Sequence, residues 1–167
     1  SDHYIPDTKV FGETVAEGIA TASRGGVVTF GVKPSRAETG YGYIEIVPAQ
    51  DELCRPINGF HEKPDYSRAT EMYTSGSYLW NTGIFLFKAK TILALAKCFQ
   101  PKMLSLVEDA VENGRIDKGC FWISAAEWIL LKANSIDYAI IEKAENIFCV
   151  NFESIWSDLG DWRALAD

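Results

Sequence analysis

Apolar and polar positions along the chain predict an alternation of helices and strands. Val10, Phe11, Val15 and Ile19 recur at helical spacing and predict a helix over 6–24, opened at Pro6-Asp7 and stopped by Gly25-Gly26. The run Val27-Val28-Thr29-Phe30-Gly31-Val32 predicts a buried strand. Further strands are expected over 43–47, over 57–62 (ended by Pro64) and over 80–87. A short helix over 67–75, closed by Gly76, lies between the last two. Helices follow over 90–99, 101–113 and 124–132. Ser135-Ile136-Asp137 reads as an N-cap and first turn leading into 138–143. A last strand is expected over 146–152, and Gly160-Asp161 starts a terminal helix. No stretch reads as a linker and no internal repeat is visible. Interleaved strands and helices predict an α/β layered fold.

Composition narrows the function classes. The chain has 167 residues, 47% of them hydrophobic and 23% charged, which is one ordinary domain with a sizeable core. Its net charge of −7 argues against a nucleic-acid partner, which would call for a basic patch. A phosphorylated substrate remains compatible, because a few placed cations and a metal handle a phosphate locally. No apolar run approaches a membrane span, and Ser1-Asp2-His3-Tyr4 lacks the basic start and apolar stretch of a signal peptide. No membrane partner is expected. Cys54, Cys98, Cys120 and Cys149 form no CxxC pair, and His3 and His61 are the only histidines, so a structural zinc site is not expected. Cys98 and Cys149 sit in apolar segments and read as small core hydrophobes. These features point to a reducing, cytoplasmic compartment.

Four short constellations carry chemistry. In Glu38-Thr39-Gly40-Tyr41-Gly42-Tyr43-Ile44, two glycines let the backbone approach a ligand, or simply form a tight turn before a strand. In Phe60-His61-Glu62-Lys63-Pro64-Asp65, a carboxylate can accept bonds from sugar hydroxyls while the lysine meets a phosphate. A solvated Glu-Lys pair at a strand end is the plainer alternative. Trp80-Asn81-Thr82-Gly83 opens the 80–87 strand with an amide that must be hydrogen-bonded, either to backbone or to a polar ligand. In Trp156-Ser157-Asp158-Leu159-Gly160-Asp161-Trp162, Asp158 lies between a strand and a helix. It is either a helix N-terminal acid or a hard oxygen ligand for Mg²⁺.

Together with Ser1-Asp2-His3 and the segment from Ser135 to Lys143, these motifs occur in the order of one family. The chain resembles the bacterial mannose-1-phosphate guanylyltransferases (GDP-mannose pyrophosphorylases) over nearly its whole length. The Ser-Ile-Asp-Tyr and Trp-Ser-Asp-Leu-Gly segments are the most specific. The resemblance implies a Rossmann-like GT-A nucleotidyltransferase fold, a mixed sheet flanked by helices, with 1–167 forming the sugar-phosphate- and metal-binding part of that domain. It implies the conversion of GTP and mannose 1-phosphate to GDP-mannose and pyrophosphate with Mg²⁺. Asp2 and Asp158 would be the metal ligands. Gly42, Glu62 and Asn81 would contact mannose, Lys63 its phosphate, and Asp137 would lie near the sugar side. The family's Gly-rich nucleotide-binding signature precedes the Ser-Asp-His segment and has no counterpart in the chain. An N-terminally truncated piece is therefore expected, inactive alone and prone to self-associate, with homo-oligomerisation of the whole protein left open.

The implied chemistry is in-line attack of a sugar-phosphate oxygen on the α-phosphorus of GTP, which needs positioning and charge neutralisation rather than a protein nucleophile. No Ser-His-Asp or Cys-His constellation is present, in keeping with that. Two alternatives stand beside it: a transferase for another sugar 1-phosphate, and a non-catalytic sugar-phosphate-binding or regulatory subunit. A pair of metal carboxylates favours the enzyme, since a binding module has no need of them.

Overall fold

The computed structural model describes residues 3–47 and 53–160. They fall into two compact units, one built from the described parts of 1–88 and 145–160 and the other from Ala89–Ala144.

The first unit contains helix α1 (Thr8–Ser23), strands β1 (Val27–Val32), β2 (Tyr43–Ile46) and β3 (Cys54–His61), helix α2 (Tyr66–Ser75) and strand β4 (Tyr78–Leu86). Strand β7 (Ile147–Asn151) completes it; its number follows chain order, after the strands of the second unit. Asp7 caps α1 by accepting from Val10 N–H, and Gly25 (φ 102°) takes the left-handed turn that ends it. Asp65 caps α2 in the same way through Arg68 N–H, and Gly76 (φ 70°) closes it.

The strands pair in the order β1-β4-β2-β3-β7, and β7 returns to β1 to close a ring. The β1–β7 pairing is parallel and the others are antiparallel, so the sheet is mixed. Every residue of β1 is buried, as its largely apolar run, interrupted by Thr29 and Gly31, suits a strand covered on both faces. Ala69 and Met72 of α2 pack with Val32, Tyr43, Trp80 and Phe152 in one core cluster. Ala22 of α1 packs with Val28, Phe30 and Val150 in another.

The second unit holds α3 (Ala89–Phe99), α4 (Pro101–Glu112), a hairpin of β5 (Arg115–Asp117) and β6 (Cys120–Trp122), and the single turns α5 (Ala125–Trp128) and α6 (Ile136–Ala139). A 3₁₀ turn, Ile141–Lys143, follows.

Several expectations need correction. The 124–132 helix shortens to α5, because after Ile129 the hydrogen bonds step from i−4 to i−3 and tighten the chain into turns. The helix expected over 138–143 is split at Ile140, whose φ of −132° is not helical. The β5–β6 hairpin was not anticipated: Lys118 (φ 49°) and Gly119 (φ 79°) form a two-residue turn with both central φ positive, the twist that hairpins favour. Strand β3 begins three residues earlier than expected, since 54–56 pair with β7 and close the ring. Cys98 is exposed rather than part of a core, whereas Cys149 is fully buried. The terminal helix expected from Gly160-Asp161 lies outside the described residues. Among those residues, no helix is long and apolar enough to cross a membrane.

Candidate functional site

Strand β2 lies between β3 and β4, and its register sets the site. Tyr43 faces His61 on one side and Trp80 on the other. One step beyond, Gly42, Glu62 and Asn81 therefore meet at one end of three neighbouring strands. Asn81 N–H donates to Gly42 carbonyl at 2.8 Å, which extends the ladder to that point. A Cβ built on Gly42 would lie 2.7 Å from Glu62 Oε2 and 3.4 Å from both Asn81 Cβ and Phe60 Cζ. Glycine is required there by the close approach of a carboxylate, not by its backbone angles, since its φ is not positive.

The Glu62 side chain is only 8% exposed, and its Oε1 lies 3.5 Å from Lys63 Nζ. Lys63 adopts φ 44°, which turns the chain sharply after β3, and its side chain is 59% exposed. An ammonium beside a buried carboxylate stabilises the charge and still reaches solvent. Asn81 sits inside β4 rather than opening the strand. Its Oδ1 accepts from the buried Thr29 hydroxyl at 2.7 Å, so the amide's partner is a side chain of β1, which the sequence reading did not foresee. That contact fixes the amide orientation, leaving Nδ2 as the group available for donation.

Asp158 joins this group through Tyr41. The Tyr41 hydroxyl donates to Asp158 Oδ1 at 3.0 Å, and Gly160 N–H donates to the same oxygen at 3.1 Å. The Tyr41 ring stands edge-on between Trp80 (5.1 Å) and Trp156 (5.3 Å). Burial, reinforced by the hydrogen bond to the Asp158 carboxylate and its charge, pushes the Tyr41 phenol up to about 12, so it stays a donor at neutral pH. The Tyr41 phenol is the residue that sequence reasoning missed; the flanking glycines drew attention to backbone, and no local signal pointed to the hydroxyl.

The loop carrying Tyr41 is braced along its length. Arg36 Nε and Nη2 both reach Glu38 Oε2, at 3.1 and 3.0 Å. Its guanidinium lies 5.4 Å from the centre of the Trp80 ring. Glu38 Oε1 accepts from Gly40 N–H at 3.0 Å, and Glu38 N–H donates to the Tyr43 hydroxyl at 2.9 Å. Burial works to raise the Glu38 carboxyl, but the Gly40 bond and the Arg36 cation together outweigh it and hold the group low. Trp80 and Trp156 also line a cleft of about 670 Å³ with Lys33, Ser35 and Phe152.

Of the expected site residues, the structure thus brings together Gly42, Glu62, Lys63 and Asn81, with Asp158 tied to them through Tyr41. Asp137 belongs to α6 of the second unit. Asp2 lies outside the described residues; two positions on, Tyr4 forms a β-bridge with Ser157, its N–H donating to Ser157 carbonyl at 2.8 Å. Trp156 Nε1 donates to His3 Nδ1 at 3.2 Å beside that bridge. Among the described residues, no three His, Cys, Asp or Glu side chains cluster closely enough to hold a metal by themselves.

The chain is similar to known proteins in both sequence and fold. The chain is 36% identical over 167 residues to a xanthan biosynthesis protein, XanB, of Xanthomonas campestris pv. campestris (strain B100), covering 100% of this chain and 35% of that protein. It is 38% identical over 170 residues to a mannose-1-phosphate guanylyltransferase of Escherichia coli, with 99% and 36% covered. The chain thus spans about a third of the length of these relatives. Among solved structures, one described as mannose-1-phosphate geranyltransferase from Thermus thermophilus superposes with a TM-score of 0.82 at 34% identity, covering 98% of this chain and 46% of that one. Another, described as mannose-6-phosphate isomerase from Helicobacter pylori, gives 0.85 at 30% identity, with 94% and 62% covered. The family model described as nucleotidyl transferase matches residues 1–167, and the chain belongs to that family.

Proposed function

We propose that this chain is part of a mannose-1-phosphate guanylyltransferase, which joins GTP and mannose 1-phosphate into GDP-mannose and releases pyrophosphate. The observation that carries the reading is the meeting of Gly42, Glu62 and Asn81 at the end of β2, β3 and β4, next to the Tyr41–Asp158 hydrogen bond. A carboxylate and an amide donor side by side suit vicinal hydroxyls, and a site built for hydroxyls rejects a substrate that lacks them. Gly42 admits the sugar to Glu62 by keeping its own volume minimal. Lys63, beside Glu62 and open to solvent, is positioned to meet the sugar phosphate. The names of the relatives supply the choice of mannose and of a guanylyl group.

Asp158 suits a divalent cation of the Mg²⁺ type. Its oxygens are hard donors, and both described hydrogen bonds go to Oδ1. A Cβ at Gly160 would come within 2.8 Å of Oδ2, so glycine keeps that oxygen uncovered. With Asp2 as the second carboxylate, the set matches the one or two carboxylates plus substrate phosphates that commonly hold Mg²⁺. When bound, the metal neutralises charge on the reacting phosphates. The chain's own residues hold the sugar hydroxyls and phosphate so that the attacking oxygen is aligned; no protein nucleophile takes part.

The family match spans both units, so we assign both to one nucleotidyltransferase domain, with the sugar and metal residues in the first. Asp137 takes no part in this reading. A cytoplasmic setting fits four cysteines that are all thiols rather than disulfides.

The test compares Glu62→Gln and Asp158→Asn in the enzyme. Glu62→Gln is expected to weaken mannose 1-phosphate binding by about 1–3 kcal/mol while GTP binding is unchanged. Asp158→Asn is expected to fold normally and lose most pyrophosphate release in Mg²⁺. Equal weakening of both substrates in the first variant, or near-normal turnover in the second, would overturn the assignment.

A further inference from the structure

Among the described residues, Asp158 is held on one side only. The Tyr41 hydroxyl and Gly160 N–H both donate to Oδ1, while Oδ2 takes neither bond and faces the space that Gly160 leaves open. Tyr41 has little freedom to do anything else. Its ring is wedged between Trp80 and Trp156. The chain on either side is fixed, by Glu38 to Gly40 N–H before it and by Gly42 carbonyl to Asn81 N–H after it. A phenol clamped this way holds a carboxylate in one rotamer.

We propose that Tyr41 is a positioning residue: it holds Asp158 by Oδ1 so that Oδ2 is presented to the divalent cation. The inference rests on the reading of Asp158 as a metal ligand. It assigns the Gly40-Tyr41-Gly42 segment a double task, since Gly42 gives the sugar access to Glu62 while its neighbour orients the metal carboxylate. Groups behind a metal ligand that fix its orientation change metal affinity by about ten- to a hundredfold when removed.

Mn²⁺ is the probe, titrated into the protein with GDP-mannose present and followed by loss of the free-ion electron paramagnetic resonance signal. Tyr41→Phe keeps the ring between the two tryptophans and removes only the hydroxyl. It is expected to bind Mn²⁺ about tenfold more weakly, while its affinity for GDP-mannose measured in EDTA stays at the wild-type value. A general loss of structure would lower both. Gly160→Ala, at a backbone position without positive φ, is expected to weaken Mn²⁺ as well by crowding Oδ2. It decides the matter if Tyr41→Phe does not give the native circular dichroism spectrum. Wild-type Mn²⁺ affinity in Tyr41→Phe, or in Gly160→Ala where that variant decides, with Asp158→Asn binding none, overturns the positioning role and leaves the metal assignment intact. Wild-type affinity in Asp158→Asn overturns the metal assignment itself.

Discussion

Gly42→Ala tests the sugar site with a single methyl group. The new Cβ would stand 2.7 Å from Glu62 Oε2. Heavy atoms in good contact are about 3.5 Å apart, so the carboxylate must retreat by the better part of an ångström. The backbone of Gly42 cannot yield instead, because its carbonyl is bonded to Asn81 N–H at 2.8 Å within the sheet. Asn81 Cβ and Phe60 Cζ, each 3.4 Å from the new atom, close the remaining directions. Glu62 is 8% exposed and must move within a packed site. Two effects follow. Overpacking of this kind costs about 1–3 kcal/mol of stability. Displacing a charged acceptor from a bound hydroxyl forfeits a hydrogen bond of about 1.5–3 kcal/mol, or roughly ten- to a hundredfold in affinity. The assay is calorimetric titration of mannose 1-phosphate into both proteins, alongside urea unfolding. The expected result is weaker sugar-phosphate binding that exceeds any change in GTP binding. Wild-type affinity in a properly folded Gly42→Ala protein would refute the reasoning, because it would show that Glu62 does not need its place beside Gly42 to hold the sugar.

Thr29→Val removes the buried hydroxyl that donates to Asn81 Oδ1 while keeping its shape, and is expected to cost about 1–3 kcal/mol in urea unfolding, with Thr29→Ser restoring most of it; equal stability of the Val and Ser variants would contradict this. Iodoacetamide at pH 8 is expected to label the exposed Cys98 and Cys120 in the native protein and Cys149 only after denaturation, as read by peptide mass spectrometry. Burial pushes the Cys149 thiol up to about 12, so the stability it contributes is complete below the ordinary thiol value of about 8.5 and is lost as pH climbs from there toward 12. Prompt native labelling of Cys149 would show that β7 opens far more readily than its pairing with β1 and β3 implies.

Much of the first unit was legible because its signals are local. A helix capped by Asp7 and ended at Gly25, a strand of largely apolar residues at 27–32, and a helix between Asp65 and Gly76 each follow from caps, breakers and period, and each stands where expected. The second unit was less legible between 114 and 143. There, turns of three or four residues replace longer helices, and a hairpin depends on positive φ at Lys118 and Gly119, where lysine carries no strong turn signal. The residue types of the site could also be read from the chain: a glutamate next to a lysine, an amide amid aromatics, and an aspartate before a Leu-Gly turn; that the glutamate is buried rather than solvated came only from the structure. Tertiary structure alone decided how they combine. Positions 42, 62 and 81 share a site only because β2 pairs with β3 and β4 in one particular register, and a slip of one residue would turn Glu62 to the opposite face. The partner of Asn81 is Thr29, 52 positions away, and the partner of Tyr41 is Asp158, 117 positions away. No pattern within a window of sequence specifies such pairs, because the contacts exist only once the sheet has closed and the aromatic side chains have packed around them.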